Sequence, residues 1–290
     1  MKKVVILGCE NSHADQFLRF MRDEKQFADM QAIGVYSDEK AAAEELNKKY
    51  GVPVMETYGE AAGKADGVII TARHGDNHYK FAKPYIESGV PMFVDKPITV
   101  KEEDALEFMR ECRERKITLC GGSSCKHADF VKELKRDAES GFDGKTLGGY
   151  LRLPIRMENP NGGFFFYAQH LAEVAGEIFG KYPRSVKAYP CGGLITVIFR
   201  YEEYDIEGLY VEANHSCYYA ARVSETQVKG AAFDMFADAP YICELEEFHS
   251  LLHGGAGANY ADFISPVFLM NAIKYSLTTG REVEVKKIYL

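Results

Sequence analysis

Val90-Pro91-Met92-Phe93-Val94 is a short, apolar, β-rich run that breaks abruptly into Asp95-Lys96-Pro97-Ile98-Thr99, and it constrains this chain more than any other stretch. A run so short and so uniformly apolar suits a strand buried on both faces, the condition found in a parallel sheet. Its carboxyl end then presents a carboxylate and an ammonium. The carboxyl edge of an open α/β sheet is where ligands bind. Burial and a neighbouring carboxylate pull a lysine's proton affinity in opposite directions, so Lys96 is a candidate proton donor or acceptor. A solvated salt bridge at a strand end fits the tripeptide equally well.

The stretches around it repeat the strand-then-helix rhythm. Lys3 to Leu7 is an apolar run stopped by Gly8, and the amphipathic stretch Ala14 to Glu24 follows. Met30 to Tyr36 reads as a second strand. The helix Ala41 to Tyr50 comes next, closed by Gly51-Val52-Pro53. A short strand at Val54-Met55 and a helix around Tyr58 to Lys64 lead to a strand at Gly67 to Ile70. The loop Thr71 to His78 then opens the helix Tyr79 to Ser88. After Thr99, a helix from Lys101 to Arg115 and a strand from Ile117 to Cys120 end at Gly121-Gly122-Ser123-Ser124, a hinge out of the first domain. Such alternation predicts a doubly wound parallel sheet.

Gly67-Val68-Ile69-Ile70-Thr71-Ala72, then His78, then Glu87 through Pro97, resembles the heart of the glucose-fructose oxidoreductase / inositol dehydrogenase / rhizopine-catabolism (Gfo/Idh/MocA) family. Those proteins carry an apolar strand, a threonine-containing loop with a histidine, a helix ending in glycine, another strand and then Glu-Lys-Pro. Asp95 stands here where the family usually has glutamate, so the charge is kept on a shorter arm. The resemblance implies a dinucleotide-binding, Rossmann-type domain over residues 1–122 and an α+β domain for substrate and oligomerisation over residues 123–290. It implies catalysis by Lys96, and it places Thr71, Ala72, His78, Asp95, Lys96 and Pro97 along the cofactor.

The first turn departs from the dinucleotide fingerprint. Gly-x-Gly-x-x-Gly would let backbone approach a diphosphate at a helix N-terminus; this chain reads Gly8-Cys9-Glu10-Asn11-Ser12-His13. Side chains at Glu10 and His13 fill space that the fingerprint leaves empty, and Glu10 adds a negative charge. Asn11 or Ser12 can still cap the helix, and free N–H groups there favour an anion. Weaker or differently seated dinucleotide binding by Gly8, Asn11, Ser12 and His13 is the expectation. After the second strand, Ser37-Asp38 offers groups for the adenosine ribose, or merely a cap for the next helix. With no arginine close by in sequence, NAD is favoured over NADP. His74 and His78 have i, i+4 spacing, but Gly75-Asp76-Asn77 between them is turn chemistry, so no metal is expected there.

In the second half, Asp129 to Glu139 reads as a helix, with Lys126 and His127 just before it where family members carry a basic residue able to face substrate. Leu147 to Leu153 starts a set of strands. Glu158-Asn159-Pro160-Asn161-Gly162-Gly163 is a turn-rich loop before the helical stretch Tyr167 to Gly180. His170 and Glu173, at i, i+3, share one face of that helix, and a histidine can move a proton on or off a hydroxyl near neutral pH. The segment resembles the family's Asp-x-x-x-His-x-x-Asp helix, which assigns catalysis to His170 and Glu173. Phe166 falls where the first aspartate would be. Val186 to Tyr189, Leu194 to Tyr201, Asp205 to Ala213 and Thr226 to Lys229 read as strands without intervening helices, hence a mostly antiparallel sheet. In family members one face of that sheet lines a subunit interface, so a homo-oligomer is implied, with His215, Cys217, Tyr218 and Tyr219 as candidates for that face. Ile242 to Leu252 and Asp262 to Thr278 are helical, and Glu282 to Val285 is a closing strand. His249 and His253 again show i, i+4 spacing; the sequence supplies no third ligand, and a solvated or packed pair is the expectation.

A chain of 290 residues with 46% hydrophobic content suits two domains. A net charge of −8 without a dense Lys/Arg block argues against nucleic acid or an anionic membrane as partner. No apolar run approaches a bilayer span, and Met1-Lys2-Lys3 leads straight into a strand, so a cytoplasmic protein is expected. Seven scattered cysteines without Cys-x-x-Cys fit buried, reduced thiols. The expected function is an NAD(P)-dependent oxidoreductase passing a hydride between nicotinamide and a polyol, sugar or related hydroxy compound, with a small molecule as substrate. Two rivals stand beside it: a non-catalytic ligand sensor of the same fold, and a lyase, hydrolase or epimerase using a tightly bound NAD.

Overall fold

The computed structural model describes residues 1–212 and 217–290, so His215 and the expected strand end at Ala213 lie outside the described residues. In chain order the elements are β1 (Lys2–Leu7), α1 (Ser12–Asp23), β2 (Met30–Tyr36), α2 (Lys40–Tyr50), β3 (Gly67–Ile70), α3 (Asp76–Ser88), β4 (Met92–Asp95), α4 (Glu102–Glu114), β5 (Leu119–Gly122), α5 (Asp129–Ser140), β6 (Thr146–Ile155), α6 (Phe165–Phe179), β7 (Ser185–Cys191), β8 (Leu194–Arg200), β9 (Asp205–Glu212), β10 (Tyr218–Ser224), β11 (Val228–Phe233), α7 (Asp238–Leu252), α8 (Tyr260–Thr279) and β12 (Val283–Glu284). They divide into two compact units. The first is Met1–Gly122 with Tyr241–Phe263 and Leu290; the second is Ser123–Pro240 with Ile264–Tyr289.

The first unit holds a five-stranded sheet of order β2-β1-β3-β4-β5, parallel throughout. β3, β4 and β5 are buried at every position, as their short apolar runs require of a sheet covered on both faces. Gly51 ends α2 in the left-handed region at φ 71, where a residue without Cβ is at no disadvantage. Two expected elements are corrected. Val54 forms only an isolated bridge to Val35, and Tyr58 to Lys64 runs as turns rather than a helix. Pro53 and the glycines at 59 and 63 break that stretch before a helical turn can propagate.

A domain running unbroken over 123–290 is also corrected, because 241–263 returns to the first unit. The reason is apolar burial: Leu245, Phe248, Leu251 and Leu252 of α7 join Phe17, Phe20 and Phe27 in one core. A Cβ built on Gly67 would lie 2.8 Å from the Phe248 ring, so α7 sits directly on the start of β3. Phe248→Leu is expected to lower stability by about 1 to 1.5 kcal/mol, read as a shift in denaturant midpoint; an unchanged midpoint would argue that α7 is not part of this core.

The second unit holds a seven-stranded sheet of order β11-β10-β6-β9-β8-β7-β12, antiparallel except for the β6–β9 pair. β10, which holds the interface candidates Tyr218 and Tyr219, is a full strand between β11 and β6. α6 lies on this sheet: the Tyr210 hydroxyl of β9 donates to the Ala168 carbonyl at 2.8 Å, and a Cβ on Gly208 would meet Leu171 at 2.9 Å. α5 is tied to α6 through Glu177, whose carboxylate receives Lys135 at 2.5 Å and Lys181 at 2.6 Å. Burial acts against that charge, but the two ammonium groups outweigh it and bring the Glu177 carboxyl down to about 2. A depressed carboxyl stabilises the fold above its unfolded value and loses that contribution as pH falls through the folded one. Between roughly pH 4.5 and about 2, stability is therefore expected to fall. Glu177→Gln should remove this acid-side component, a difference that denaturant titrations at stepped pH would show.

Candidate active site

In the first unit the strand order reverses beside β1, with β2 on one side and β3 on the other. That is the place where the crevice of an open α/β sheet forms. The loops after β1, β3 and β4 meet at this edge. Gly8, at φ 94, lets the first turn close on the third: a Cβ there would fall 2.2 Å from the Ala72 backbone nitrogen. The Thr71 hydroxyl donates to the Gly8 carbonyl at 2.8 Å, and the Thr71 N–H to the Leu7 carbonyl at 2.7 Å. His78 lies in the first turn of α3, fully buried, with Nε2 2.7 Å from the Ala72 carbonyl. Burial pushes its pKa down, so the ring is neutral and acts on the shape of the 71–78 loop. His74 pairs instead with its own turn, its Nδ1 accepting the Asp76 N–H at 3.3 Å.

Asp95 is the hub. It is fully buried; Oδ1 accepts the Lys96 N–H at 2.7 Å, and Oδ2 accepts Asn11 Nδ2 at 2.8 Å. His13 Nδ1 stands 2.8 Å from the same Oδ2, an ion-pair distance reached without hydrogen-bond alignment. Burial would raise this carboxyl, but the facing His13, Lys96 and His78 outweigh it and hold it below the ordinary carboxylate range. Asp95 is therefore an anion fixed on three sides. Lys96 beside it is 6% exposed, and the Lys96–Pro97 peptide is cis. Asn11 also caps α1, its Oδ1 accepting the His13 N–H at 3.3 Å, with Ser12 as the first helical residue. One side chain thus ties the start of α1 to the end of β4.

Glu10 does not project into open space. Its Oε2 accepts the Ser37 hydroxyl at 2.5 Å and its Oε1 the Arg73 N–H at 3.0 Å. Ser37 also accepts the Glu39 N–H at 3.1 Å, while Asp38 receives the Tyr36 hydroxyl at 2.7 Å and Lys80 at 3.5 Å. Ser37 and Arg73 are donors suited to an oxyanion of a dinucleotide, and Glu10 is the anion that now satisfies them. Both donors are occupied by the Glu10 carboxylate in this structure.

In the second unit, His170 and Glu173 do share a face of α6, and both meet Ser123. His170 Nδ1 lies 2.6 Å from Ser123 Oγ and 3.4 Å from Cys125 Sγ. Ser123 Oγ already accepts the Cys125 N–H at 3.2 Å. Glu173 accepts the Ser123 N–H and, at 3.0 Å, Gln169 Nε2. Burial pushes its carboxyl up, against the pull of Lys126 and those bonds. Lys126 and His127 lie in a single 3-10 turn over Ser124–His127; His127 is buried, which lowers its pKa to about 3.

Three partners were not anticipated: Asn11 to Asp95, Glu10 to Ser37, and Ser123 to His170. For Ser123 a signal was present, a hydroxyl directly after a strand ending Gly-Gly, but it reads equally as a hinge.

Together these features define an α/β unit with a parallel, doubly wound sheet and an α+β unit with a mostly antiparallel one. The family model of the Gfo/Idh/MocA oxidoreductases, described as an NAD-binding Rossmann fold, matches residues 2–122. YceM of Salmonella typhimurium, which carries an oxidoreductase name, is 24% identical over 102 residues, 35% of this chain and 33% of that protein's length. Among solved structures, myo-inositol 2-dehydrogenase from Lactobacillus plantarum has a TM-score of 0.86 at 12% identity, covering 98% of this chain and 99% of its own. The apo scyllo-inositol dehydrogenase from Lactobacillus casei gives 0.85 at 15% identity, covering 98% of each. GenD2 from gentamicin A biosynthesis, in complex with NAD, gives 0.84 at 12% identity, covering 98% of this chain and 96% of its own. At these identities the likeness shows a shared fold.

Proposed function

We propose that the protein is an NAD(P)-dependent oxidoreductase acting on a polyol, sugar or related hydroxy compound. The observation that carries this reading is the buried Asp95–Lys96 pair at the end of β4, on the carboxyl edge of a family fold. Lys96 exchanges the substrate hydroxyl proton. Asp95, held ionised against its burial by His13, Lys96 and His78, supplies a fixed negative charge beside that amine. The nicotinamide supplies the hydride chemistry when bound. Ser12, Ser37, Asp38 and the Arg73 N–H would hold its nucleotide end, with Thr71 and Ala72 setting the loop against it. The negative charges of Glu10 and Asp38 disfavour a further phosphate, which supports NAD over NADP. His170, set by Ser123, is proposed as a second proton-carrying group, and Glu173 as the anchor for Ser123. The inositol dehydrogenases of like fold favour a polyol.

An assay of NAD+ and NADP+ reduction against a polyol panel tests this reading. Substrate-dependent NADH formation is expected; its absence with every polyol and both cofactors would contradict it. A sensor that binds nucleotide without turnover is the second reading, favoured by Glu10 satisfying the anion donors; saturable NADH binding without any reduction would support it.

A homo-oligomer through the second unit's sheet is proposed from burial that alternates along β8 and β10 and from half-exposed Tyr189 and Leu194. Light scattering on the purified chain would give its mass. No described helix is long and apolar enough to cross a membrane. Seven cysteines without a disulfide favour a reducing compartment such as the cytoplasm.

A further inference from the structure

His249 and His253 have a third neighbour that their sequence positions do not reveal. His249 Nε2 lies 2.8 Å from Asp29 Oδ1, and His253 Nε2 lies 2.9 Å from Asp29 Oδ2. The three ligand atoms fall within 4.8 Å of one another, and the two imidazole centroids are 4.6 Å apart. We propose that Asp29, His249 and His253 bind one divalent transition-metal ion of the zinc class, with water completing the sphere.

Two imidazole nitrogens and one carboxylate oxygen match the donor set of three-ligand zinc sites, which keep a fourth position open. Donor atoms around a tetrahedral zinc ion stand about 3.3 Å apart. The two histidine–aspartate separations are short of this by roughly half an ångström, and all three donor atoms lie within 4.8 Å of one another, so side-chain rotations bring them onto one ion. The carriers are already fixed. The Lys2 N–H donates to the Asp29 carbonyl at 2.6 Å, Phe27 meets the His249 ring edge-on at 5.8 Å, and the His253 N–H bonds the Ser250 carbonyl at 3.0 Å. Asp29 is half-buried and His253 exposed, so an ion has access from solvent. The solvated or packed pair expected from sequence is thus replaced by a three-residue cluster. Its ligands are 220 and 224 residues apart in the chain. Metal binding would staple the returning helix α7 to the segment that precedes β2, all within the first unit. The site is independent of the oxidoreductase reading.

Calorimetric titration of ZnCl2 into the chelator-stripped full chain tests the proposal. One ion per chain is expected, with a zinc-dependent rise in thermal midpoint. His253→Gln and Asp29→Asn, both near the surface, should each weaken binding at least about tenfold and abolish that rise. Cobalt substitution supplies a readout that needs no variant. Visible d–d absorption without a thiolate-to-cobalt band is expected. Three results would overturn the site: no heat up to millimolar zinc, stoichiometric binding unchanged in both variants, or a thiolate band showing that cysteine holds the ion.

Discussion

Lys96→Met is expected to reduce turnover by about a hundredfold to ten-thousandfold while leaving dinucleotide affinity nearly unchanged. Methionine keeps the length and apolar character of the lysine stem at a position only 6% exposed, so packing survives. Asp95 keeps its bonds from Asn11 Nδ2 and from the residue 96 backbone N–H, because neither involves the lost amine. What disappears is the proposed proton carrier at the carboxyl edge. The loss should appear in kcat at saturating cofactor, with NADH affinity measured on the same preparation. Wild-type turnover in the variant would remove the catalytic assignment and leave Lys96 as a structural counter-ion to Asp95.

Glu10→Ala is expected to move cofactor affinity the other way, tightening NADH binding by about tenfold to a hundredfold. On the proposed reading, a nucleotide in the wild-type chain displaces the Glu10 carboxylate from the Ser37 hydroxyl and the Arg73 N–H that it now occupies, and then tolerates its charge near the diphosphate. Hydrogen bonds to charged groups contribute about 1.5 to 3 kcal/mol each, so removing the competitor leaves those donors for the ligand. The substitution touches no residue proposed to carry protons, and kcat should change far less than affinity. Unchanged or weaker binding would mean that Glu10 is a positive element of the site.

The fold of the first unit was largely legible, because short apolar runs alternating with amphipathic stretches allow few alternatives to a covered parallel sheet. Where the reading failed, the deciding contacts were distant in sequence. α7 belongs with β1 and α1 because Phe248 and Leu252 bury against that core, and local periodicity says that a helix has an apolar face without saying what covers it. The site was legible residue by residue but not pair by pair. Asp95 and Lys96 could be placed at a strand end, yet the bond from Asn11 crosses 84 positions and the pairing of Ser37 with Glu10 crosses 27. Glu10 was foreseen as an obstruction; its role as an internal anion was not. His249 and His253 looked incomplete for the same reason, since their third neighbour lies on the opposite side of the sequence.

We propose that the carboxyl edge around Gly8, Glu10 and Lys96 accepts a dinucleotide. Titration of NADH and NADPH by their own fluorescence addresses it most directly, and the absence of tryptophan keeps protein background low. Saturable NADH binding is expected, stronger than that of NADPH and stronger still in Glu10→Ala. No binding of either nucleotide at millimolar concentration, in the wild-type chain and in Glu10→Ala alike, would contradict it.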